Sequence, residues 1–272
     1  MNVFTMTCST TPDGIYGNML ALRTLRTGFP TANITVTDNA SCWEARHLFG
    51  EMCSRYGYTF RTIDIRIRHH EFIEDVVATT TGPLAIVDPD CVFWEDCEPL
   101  VKAEPGVLLR GRLFPALEII RPNILRKIVV PRLHTSFLAI PDAQKLYVTL
   151  AATGTPAIWQ QHLLRITGPD TNVLQDTGAR VYELLGTQAQ PFREAELDRY
   201  DHYINGTTGG PVALTTYPDV WDCTADYQHL KGAWKIQEES FSSYQVSEEW
   251  ERRKTQPREF IATCTDRGMV EE

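Results

Sequence analysis

Hydrophobic residues in the first 100 positions follow two alternating spacings. Runs rich in β-branched and other apolar residues, which are typical of strands, occur at 2–9, 33–38, 60–67 and 83–88. Between these runs the apolar residues recur at helical spacing, which predicts helices over 16–27, 42–56 and 71–81. This repeated strand–helix order through four strands predicts an α/β fold with a parallel sheet and flanking helices.

Turn and cap residues set the predicted boundaries of these elements. Gly28 ends the first helix and Gly57 ends the second. Ser41 is the predicted N-cap of the second helix, with Glu44 three residues later as its capping-box partner.

Composition narrows the class of protein. The chain has 272 residues, 43% of them hydrophobic, and its net charge is 26 − 35 = −9. This is enough apolar material for a core, so wholesale disorder is excluded, and the length suits one large domain or two small ones. No apolar run reaches the roughly 20 residues of a membrane span. Without a basic and apolar leader at the N-terminus, we expect no membrane association and a cytoplasmic protein.

The seven cysteines are an odd number and include no C-x-x-C pair. This pattern favours reduced, mostly buried thiols over a disulfide framework or a structural zinc site.

Two carboxylates follow the most apolar of the predicted strands. The run from Leu84 to Val87 leads directly into Asp88 and Asp90, and another apolar run begins at Val92. Carboxylates one residue apart in a turn can both face a hard divalent cation such as Mg²⁺ or Mn²⁺. Such a cation is needed where a diphosphate leaves, because it neutralises the charge that develops on the leaving oxygens.

Polar side chains also follow the other strands of the predicted sheet. Thr7, Cys8 and Ser9 end the first strand, and Asp38 ends the second. Because parallel α/β sheets bind ligands beyond the carboxyl ends of their strands, these residues are candidates for the same site as the carboxylates.

With its D-x-D motif, the stretch 2–98 resembles the nucleotide-binding half of a GT-A fold nucleotide-sugar glycosyltransferase of the bacterial and phage type. The resemblance implies a mostly parallel, Rossmann-like central sheet with flanking helices. It implies that the loop 7–9 cradles the nucleotide and that Asp38 meets the base or ribose. Asp88 and Asp90 would hold Mn²⁺ or Mg²⁺ on the donor diphosphate, and a uridine diphosphate sugar is the commonest donor.

The same resemblance implies several further residues. His70, with the helix beginning at Glu71, matches a segment that often precedes the D-x-D motif. The segment 174–185 is similar to the acceptor helix of the family, which makes Asp176 the candidate general base. The alternative is that Asp176 only caps this helix.

A histidine late in the catalytic domain often completes the metal site in this family. His202 precedes a loop rich in glycine and threonine, and His229 begins an H-x-x-G sequence. Only one of the two can serve, and His202 is the preferred candidate.

The second half of the chain is expected to bind the acceptor. Its domains are predicted as a catalytic domain over 1–234, divided into a nucleotide-binding half (1–100) and an acceptor half (101–234), and a C-terminal helical extension over 235–272. Between 110 and 132 six basic residues stand against the single acid Glu118, and glycines and prolines predict mostly loops.

A basic face in 110–132 suits an anionic acceptor such as DNA. The segment 131–140 also resembles the H-x-S-F strand of bacterial and phage members of the family. With the basic face, this resemblance makes a hydroxymethylated pyrimidine in phage DNA, extruded from the helix, a candidate acceptor, and the protein would then act in the host cytoplasm. A glycan, a protein or a small metabolite are the other candidates. Alternatively, some of these arginines grip the donor diphosphate or are merely solvated.

The strand predicted over 131–140 carries His134, Thr135 and Ser136 towards the site.

These residues together predict a metal-dependent glycosyltransferase. One rival is a haloacid-dehalogenase-like phosphatase, since 88–92 fits its D-x-D-x-[TV] signature with Asp88 as nucleophile. About 80 residues of α/β pattern before the motif argue against it. The other rival is a non-catalytic protein that binds nucleotide sugars or nucleic acid.

Overall fold

The computed structural model describes residues 1–202 apart from 10–11, 103, 115–116, 122–123, 156, 161, 168–170 and 176. The strands are β1 (Asn2–Thr7), β2 (Asn33–Asn39), β3 (Thr59–Ile63), β4 (Leu84–Val87), β5 (Cys91–Phe93), β6 (Leu109–Phe114), β7 (Leu117–Arg121), β8 (Ile124–Val129), β9 (Arg132–Ile140), β10 (His162–Thr167), β11 (Thr171–Gln175), β12 (Ala189–Pro191) and β13 (Tyr200–His202). The helices are α1 (Pro12–Gly28), α2 (Trp43–Tyr56), α3 (His69–Thr79), α4 (Glu98–Val101), α5 (Ala143–Ala151), α6 (Ala179–Leu185) and α7 (Glu194–Leu197). None of the described helices has the length and apolar character needed to cross a membrane.

A seven-stranded sheet with the order β12-β6-β9-β4-β1-β2-β3 forms the centre of the molecule. Its strands are parallel except for β9, which is antiparallel to both β4 and β6. The predicted α/β fold with a mostly parallel sheet is therefore confirmed. Since β2 and β3 lie on one side of β1 and β4 on the other, the strand order reverses between β1 and β4. In such sheets this reversal opens a crevice at the carboxyl ends of the strands.

Two apolar clusters make up the core. One contains α1 and α2, and the other contains α3, α5 and α6. In the first cluster Phe29, Phe93 and Phe137 pack with ring centroids 5.0–5.8 Å apart. A Cβ at Gly28 would lie 2.5 Å from the Phe93 ring, so this glycine is required by close packing and not only to end α1.

The predicted helix cap at Ser41 is wrong. Cys42 is the N-cap residue of α2 and makes no side-chain cap hydrogen bond. The Ser41 hydroxyl instead accepts a hydrogen bond of 2.9 Å from the Ser9 amide, and the Ser9 carbonyl accepts one from the Cys42 amide. The serine therefore ties the loop after β1 to the start of α2.

The segment 110–132, for which glycines and prolines predict mostly loops, instead consists largely of β6, β7 and β8. A Cβ at Gly111 would lie 3.2 Å from the Phe137 carbonyl oxygen and 3.3 Å from the Leu133 Cβ. Glycine here permits the close approach of β6 and β9 instead of breaking the chain. A second sheet, with the order β10-β11-β8-β7, contains the rest of this segment.

Candidate functional site

A cleft of about 570 Å³ lies where the strand order reverses. Asp88 and Asp90, which follow β4, both line it. The other polar and charged residues lining the cleft include Cys8, Asn18, Asn39, Arg66, Arg68 and His69. The volume falls within the range of small-molecule and cofactor sites.

The turn that carries the two carboxylates is fixed from several sides. The Asp88 amide donates a hydrogen bond to the Ser136 carbonyl on β9, and the Cys91 amide donates one back to the Asp88 carbonyl. Asn18 on α1, which is buried, donates its side-chain amide to the Pro89 carbonyl at 3.0 Å and accepts from the Ser9 hydroxyl at 2.9 Å. The turn is thus held in place relative to both β9 and the loop after β1.

Asp88 is paired with His69, the first residue of α3. Nε2 of His69 lies 3.1 Å from Oδ1 of Asp88. Burial alone would raise the pKa of this carboxyl, but the charge and hydrogen bond of His69, with the charges of His202 and His134, lower the pKa to about 2. Asp88 is therefore ionised at neutral pH, the state that a cation requires.

Asp90 meets His202, the last residue of β13. Their side chains are about one-tenth exposed, and Nε2 of His202 lies 3.2 Å from Oδ1 of Asp90. That oxygen is buried and makes no hydrogen bond to a described residue. Burial lowers the pKa of His202, but the charge of Asp90 and the contact with it outweigh burial, so the pKa is raised overall.

His134 on β9 completes a cluster of possible metal ligands. Among the described residues, Asp88, His134 and His202 each offer one ligand atom, and these atoms lie within 4.8 Å of one another. Burial first, and then the nearby His202, lower the pKa of His134 to about 3, so its imidazole is neutral. The Ser136 amide donates to Nδ1 of His134 at 3.2 Å, so an ion bound through Nε2 would require the proton on Nδ1 instead.

The residues of this cluster fit a divalent metal. The buried Asp90 oxygen, which lies 3.2 Å from Nε2 of His202 and makes no hydrogen bond to a described residue, fits a cation site, since buried polar atoms are normally satisfied. Carboxylate and imidazole together suit Mn²⁺ and similar ions. His202 was the histidine preferred from the sequence, and His134 was expected near the site but not as a ligand.

The remaining predicted nucleotide contacts differ in position. Cys8 lines the cleft, whereas Thr7 and Ser9 are buried at the end of β1. Asp38 is buried too: its Oδ2 accepts from Nε of Arg46 at 3.0 Å, and it is not among the residues that line the cleft. Its neighbour Asn39 occupies the position lining the cleft that the sequence reasoning gave to Asp38.

Arg66, Arg68 and His69 are the site residues that sequence reasoning missed. Ile63, Ile65 and Ile67 alternate with polar residues, which predicts a strand to position 67. The structure ends β3 at Ile63, and Ile65 is 81% exposed, so the following residues turn into the cleft. The basic residues before α3 are the available sequence signal, whereas the family resemblance points to His70 and not to His69.

Asp176, His229 and the extension 235–272 lie outside the described residues. The helix that Asp176 was expected to begin is α6, which starts at Ala179 with Gly178 as its N-cap. Asp176 as general base stays a prediction.

The basic segment 110–132 does not present all its cations to solvent. Arg110 is buried, with Nη2 2.7 Å from Oε2 of Glu196 and its guanidinium over the Phe192 ring. Arg132 is also buried. At least these two arginines are therefore removed from the predicted acceptor face.

Comparison with known proteins gives similarity at the level of solved structures. No family model matches the chain, and no curated protein matches it by sequence. The chain is similar to the bifunctional glycosyltransferase WbbM (9% identity, TM-score 0.45, 86% of this chain and 44% of that one). It is also similar to the glycosyltransferase GlyE of Streptococcus pneumoniae TIGR4 (10%, 0.46, 89% and 63%). A third neighbour is the mannosyltransferase PcManGT of Pyrobaculum calidifontis, solved with GDP-Man and Mn²⁺ (11%, 0.39, 99% and 80%).

These neighbours are glycosyltransferases, which is the class that the sequence resembles. The chain spans less than half the length of WbbM and less than two thirds of GlyE. Because the identities and TM-scores are low, what this chain does has to be inferred from its own residues.

Proposed function

We propose that the protein is a metal-dependent glycosyltransferase that uses a nucleoside-diphosphate sugar. One observation carries the proposal: ligand atoms of Asp88, His134 and His202 lie within 4.8 Å of one another, with Asp90 in contact with His202, beside a cleft at the reversal of strand order. The cleft is large enough for a nucleotide sugar, and a crevice at this place in an α/β sheet is where such ligands bind.

The residues that would hold the metal are Asp88, Asp90, His134 and His202. When bound, the ion would neutralise the negative charge that develops on the departing diphosphate. His69 keeps Asp88 ionised and oriented through the contact with its Oδ1. Asn18 holds the turn 88–90 against the loop after β1, so the carboxylates keep their position as the ligand enters.

The finer parts of the proposal concern the substrates. A uridine diphosphate sugar is the proposed donor, and Asp176 is the proposed base that deprotonates the acceptor hydroxyl. The proposed acceptor is a hydroxymethylated pyrimidine in DNA. Its support is the excess of basic residues in 110–132, of which Arg110 is engaged inside the protein by Glu196.

A thermal-shift screen of nucleotide sugars with and without Mn²⁺ tests the proposal. We expect one nucleoside diphosphate and its sugars to raise the melting temperature only when Mn²⁺ is present, because a ligand that binds the native state stabilises it. Asp88→Asn should abolish this shift. A protein that is stabilised without metal, and that releases no nucleoside diphosphate from the bound sugar, would be a binding module instead.

Release of inorganic phosphate from a simple phosphomonoester, dependent on Asp88, would support the phosphatase alternative and contradict the proposal.

A further inference from the structure

The turn between β3 and α3 brings positive charge to the metal cluster. We call residues 64–68 the basic turn. Arg66 and Arg68 are both exposed and both line the cleft that Asp88 and Asp90 also line. Asp64, the first residue of the turn, is not among the residues that line the cleft. Its Oδ1 lies 3.0 Å from Nη1 of Arg46. Two guanidinium groups therefore face the same space as the two carboxylates.

Asn39 holds the middle of the basic turn. Its side-chain Nδ2 donates to the Ile67 carbonyl at 2.8 Å, and its Oδ1 accepts from the Ile67 amide at 2.8 Å. Asn39 is 1% exposed, and both hydrogen bonds are partly buried. Because one amide satisfies both backbone groups of Ile67, the turn is fixed in position and in orientation.

Two further contacts hold the turn. The Ile67 side chain is partly buried against the core cluster that contains Phe72. The Arg68 amide donates to the Glu71 carboxylate at 2.7 Å in the capping box of α3. With Ile67 anchored inward, the arginines on either side of it remain at the cleft.

The backbone beside Asn39 is strained, which is typical of a position held for function. Ala40 has a φ of +55°, in the left-handed region that costs a residue with a Cβ roughly 1–2 kcal/mol. Its amide donates to the Ile63 carbonyl at 2.9 Å, so the chain leaves β2 next to the end of β3. This bend keeps Asn39 beside the basic turn.

The charges of Arg66, Arg68, Asp88 and Asp90 sum to zero without a ligand and again when a divalent metal and a diphosphate bind together, but not when either binds alone. Without a metal, Arg66 and Arg68 face the carboxylates of Asp88 and Asp90. A divalent ion would offset the two carboxylates and leave the two guanidinium groups available to the two negative charges of a diphosphate diester. The site therefore favours a metal–diphosphate complex over either component alone.

We propose that Arg66 and Arg68 bind the diphosphate of the nucleotide sugar and that Asn39 is the residue that positions them. The inference rests on the proposed function, because it needs a metal-bound nucleoside diphosphate in this cleft. It assigns the donor phosphates to the basic turn as well as to the metal.

Isothermal titration of the full chain with UDP and with GDP, each with excess Mn²⁺, tests the assignment. For whichever nucleotide binds, Arg66→Gln with Arg68→Gln should weaken binding at least tenfold. Asn39→Leu, which removes both hydrogen bonds without adding charge, should weaken it about tenfold. Combined with the arginine changes, Asn39→Leu should weaken it by no more than about twofold further, since there are no arginines left to position.

A matched control and a second titration separate positioning from general damage. Tyr58→Phe removes another buried hydrogen bond, from the Tyr58 hydroxyl to the Leu22 carbonyl at 3.1 Å, among residues that do not line the cleft. It should leave nucleotide binding unchanged. Titration with Mn²⁺ alone should be the same for Asn39→Leu as for the unaltered chain, because the proposed metal ligands are elsewhere.

The outcomes distinguish this inference from the proposed function. If neither nucleotide binds to the unaltered chain with Mn²⁺, the proposed function fails and this inference with it. If a nucleotide binds and the arginine variant binds it equally well, only this inference fails. Additive effects of the Asn39 and arginine changes would also overturn the positioning role. Should Asn39→Leu fail to fold, Asn39→Ser provides the same comparison.

Discussion

Two contacts between a cation and a carboxylate join the described end of the chain to the central sheet, and they differ in kind. Arg110 and Glu196 meet at 2.7 Å in a hydrogen bond, and the same Glu196 oxygen accepts from the Arg193 amide. His202 and Asp90 meet at 3.2 Å, and the Asp90 oxygen that faces the imidazole makes no hydrogen bond to a described residue.

The difference separates a contact that stabilises the fold from one that is prepared for a ligand. A buried pair contributes stability only when its geometry is good and its remaining polar groups are satisfied. Arg110 and Glu196 meet the first condition at 2.7 Å, although Nε of Arg110 is buried without a hydrogen bond to a described residue. Asp90 and His202 do not meet it, and an incompletely satisfied carboxylate beside an imidazole and a second carboxylate is the arrangement expected before a metal binds. Isosteric changes in the two pairs should therefore differ in their effect on metal binding.

Asp90→Asn should have the largest effect on function. It removes one proposed metal ligand and should lower metal-dependent release of nucleoside diphosphate by about 100-fold or more, since the cation supplies several kcal/mol of charge stabilisation. The change also takes from His202 the charge that raises its pKa, so the free energy of unfolding without metal should fall as well. Steady-state kinetics with the donor found by thermal shift, together with urea unfolding, measure both.

Glu196→Gln is the matched control for Asp90→Asn. If the two variants lost activity equally, the distinction between the two pairs would be contradicted. Glu196→Gln should leave the metal site intact but lower the free energy of unfolding by about 2 kcal/mol. The expected loss lies between the values for exposed and for buried ion pairs. It arises because the substitution leaves the buried Arg110 guanidinium without its counter-charge. Urea unfolding at pH 7 measures the change, and Mn²⁺ titration should show unaltered affinity.

His202→Gln should weaken Mn²⁺ binding at least about tenfold, the smallest loss expected even for residues that only support a metal ligand. At pH values below the raised pKa of His202, the free energy of unfolding without metal should also fall, because the charge of Asp90 stabilises the protonated imidazole in the folded state. Titration with Mn²⁺ alone gives the affinity. Unchanged affinity would remove His202 from the site and leave Asp88, Asp90 and His134 as the proposed ligands.

The sequence predicts the parts of this molecule that depend on local pattern. The four parallel strands and the position of Asp88 and Asp90 after β4 follow from hydrophobic spacing alone, because buried strands and the turns between them have local signatures. His202 was found only through the family resemblance.

The rest depends on contacts between distant residues. Asn39 and Ile67 are 28 positions apart, so nothing near Ile67 shows that β3 stops at Ile63 and that Arg66 turns into the cleft. The sequence predicts Arg110 as part of a basic face and not as a buried residue, because its partner Glu196 is 86 positions away. Such pairings are specified by the topology of the sheet and not by local propensity.

The smallest expected effect is the pH dependence of the Arg110–Glu196 pair. Burial by itself raises the pKa of Glu196, but the Arg193 amide, the hydrogen bond from Arg110 and the nearby charges outweigh it and lower the pKa below its ordinary value of 4.5. A carboxyl with a lowered pKa in the folded state contributes stability above its unfolded pKa and loses it as the pH falls through the folded value. The difference in unfolding free energy between the unaltered chain and Glu196→Gln should therefore be constant from pH 7 to about pH 5 and shrink below about 4.5. Urea unfolding across this range measures it, and a difference that grows on acidification would show that Glu196 does not stabilise the fold as a carboxylate.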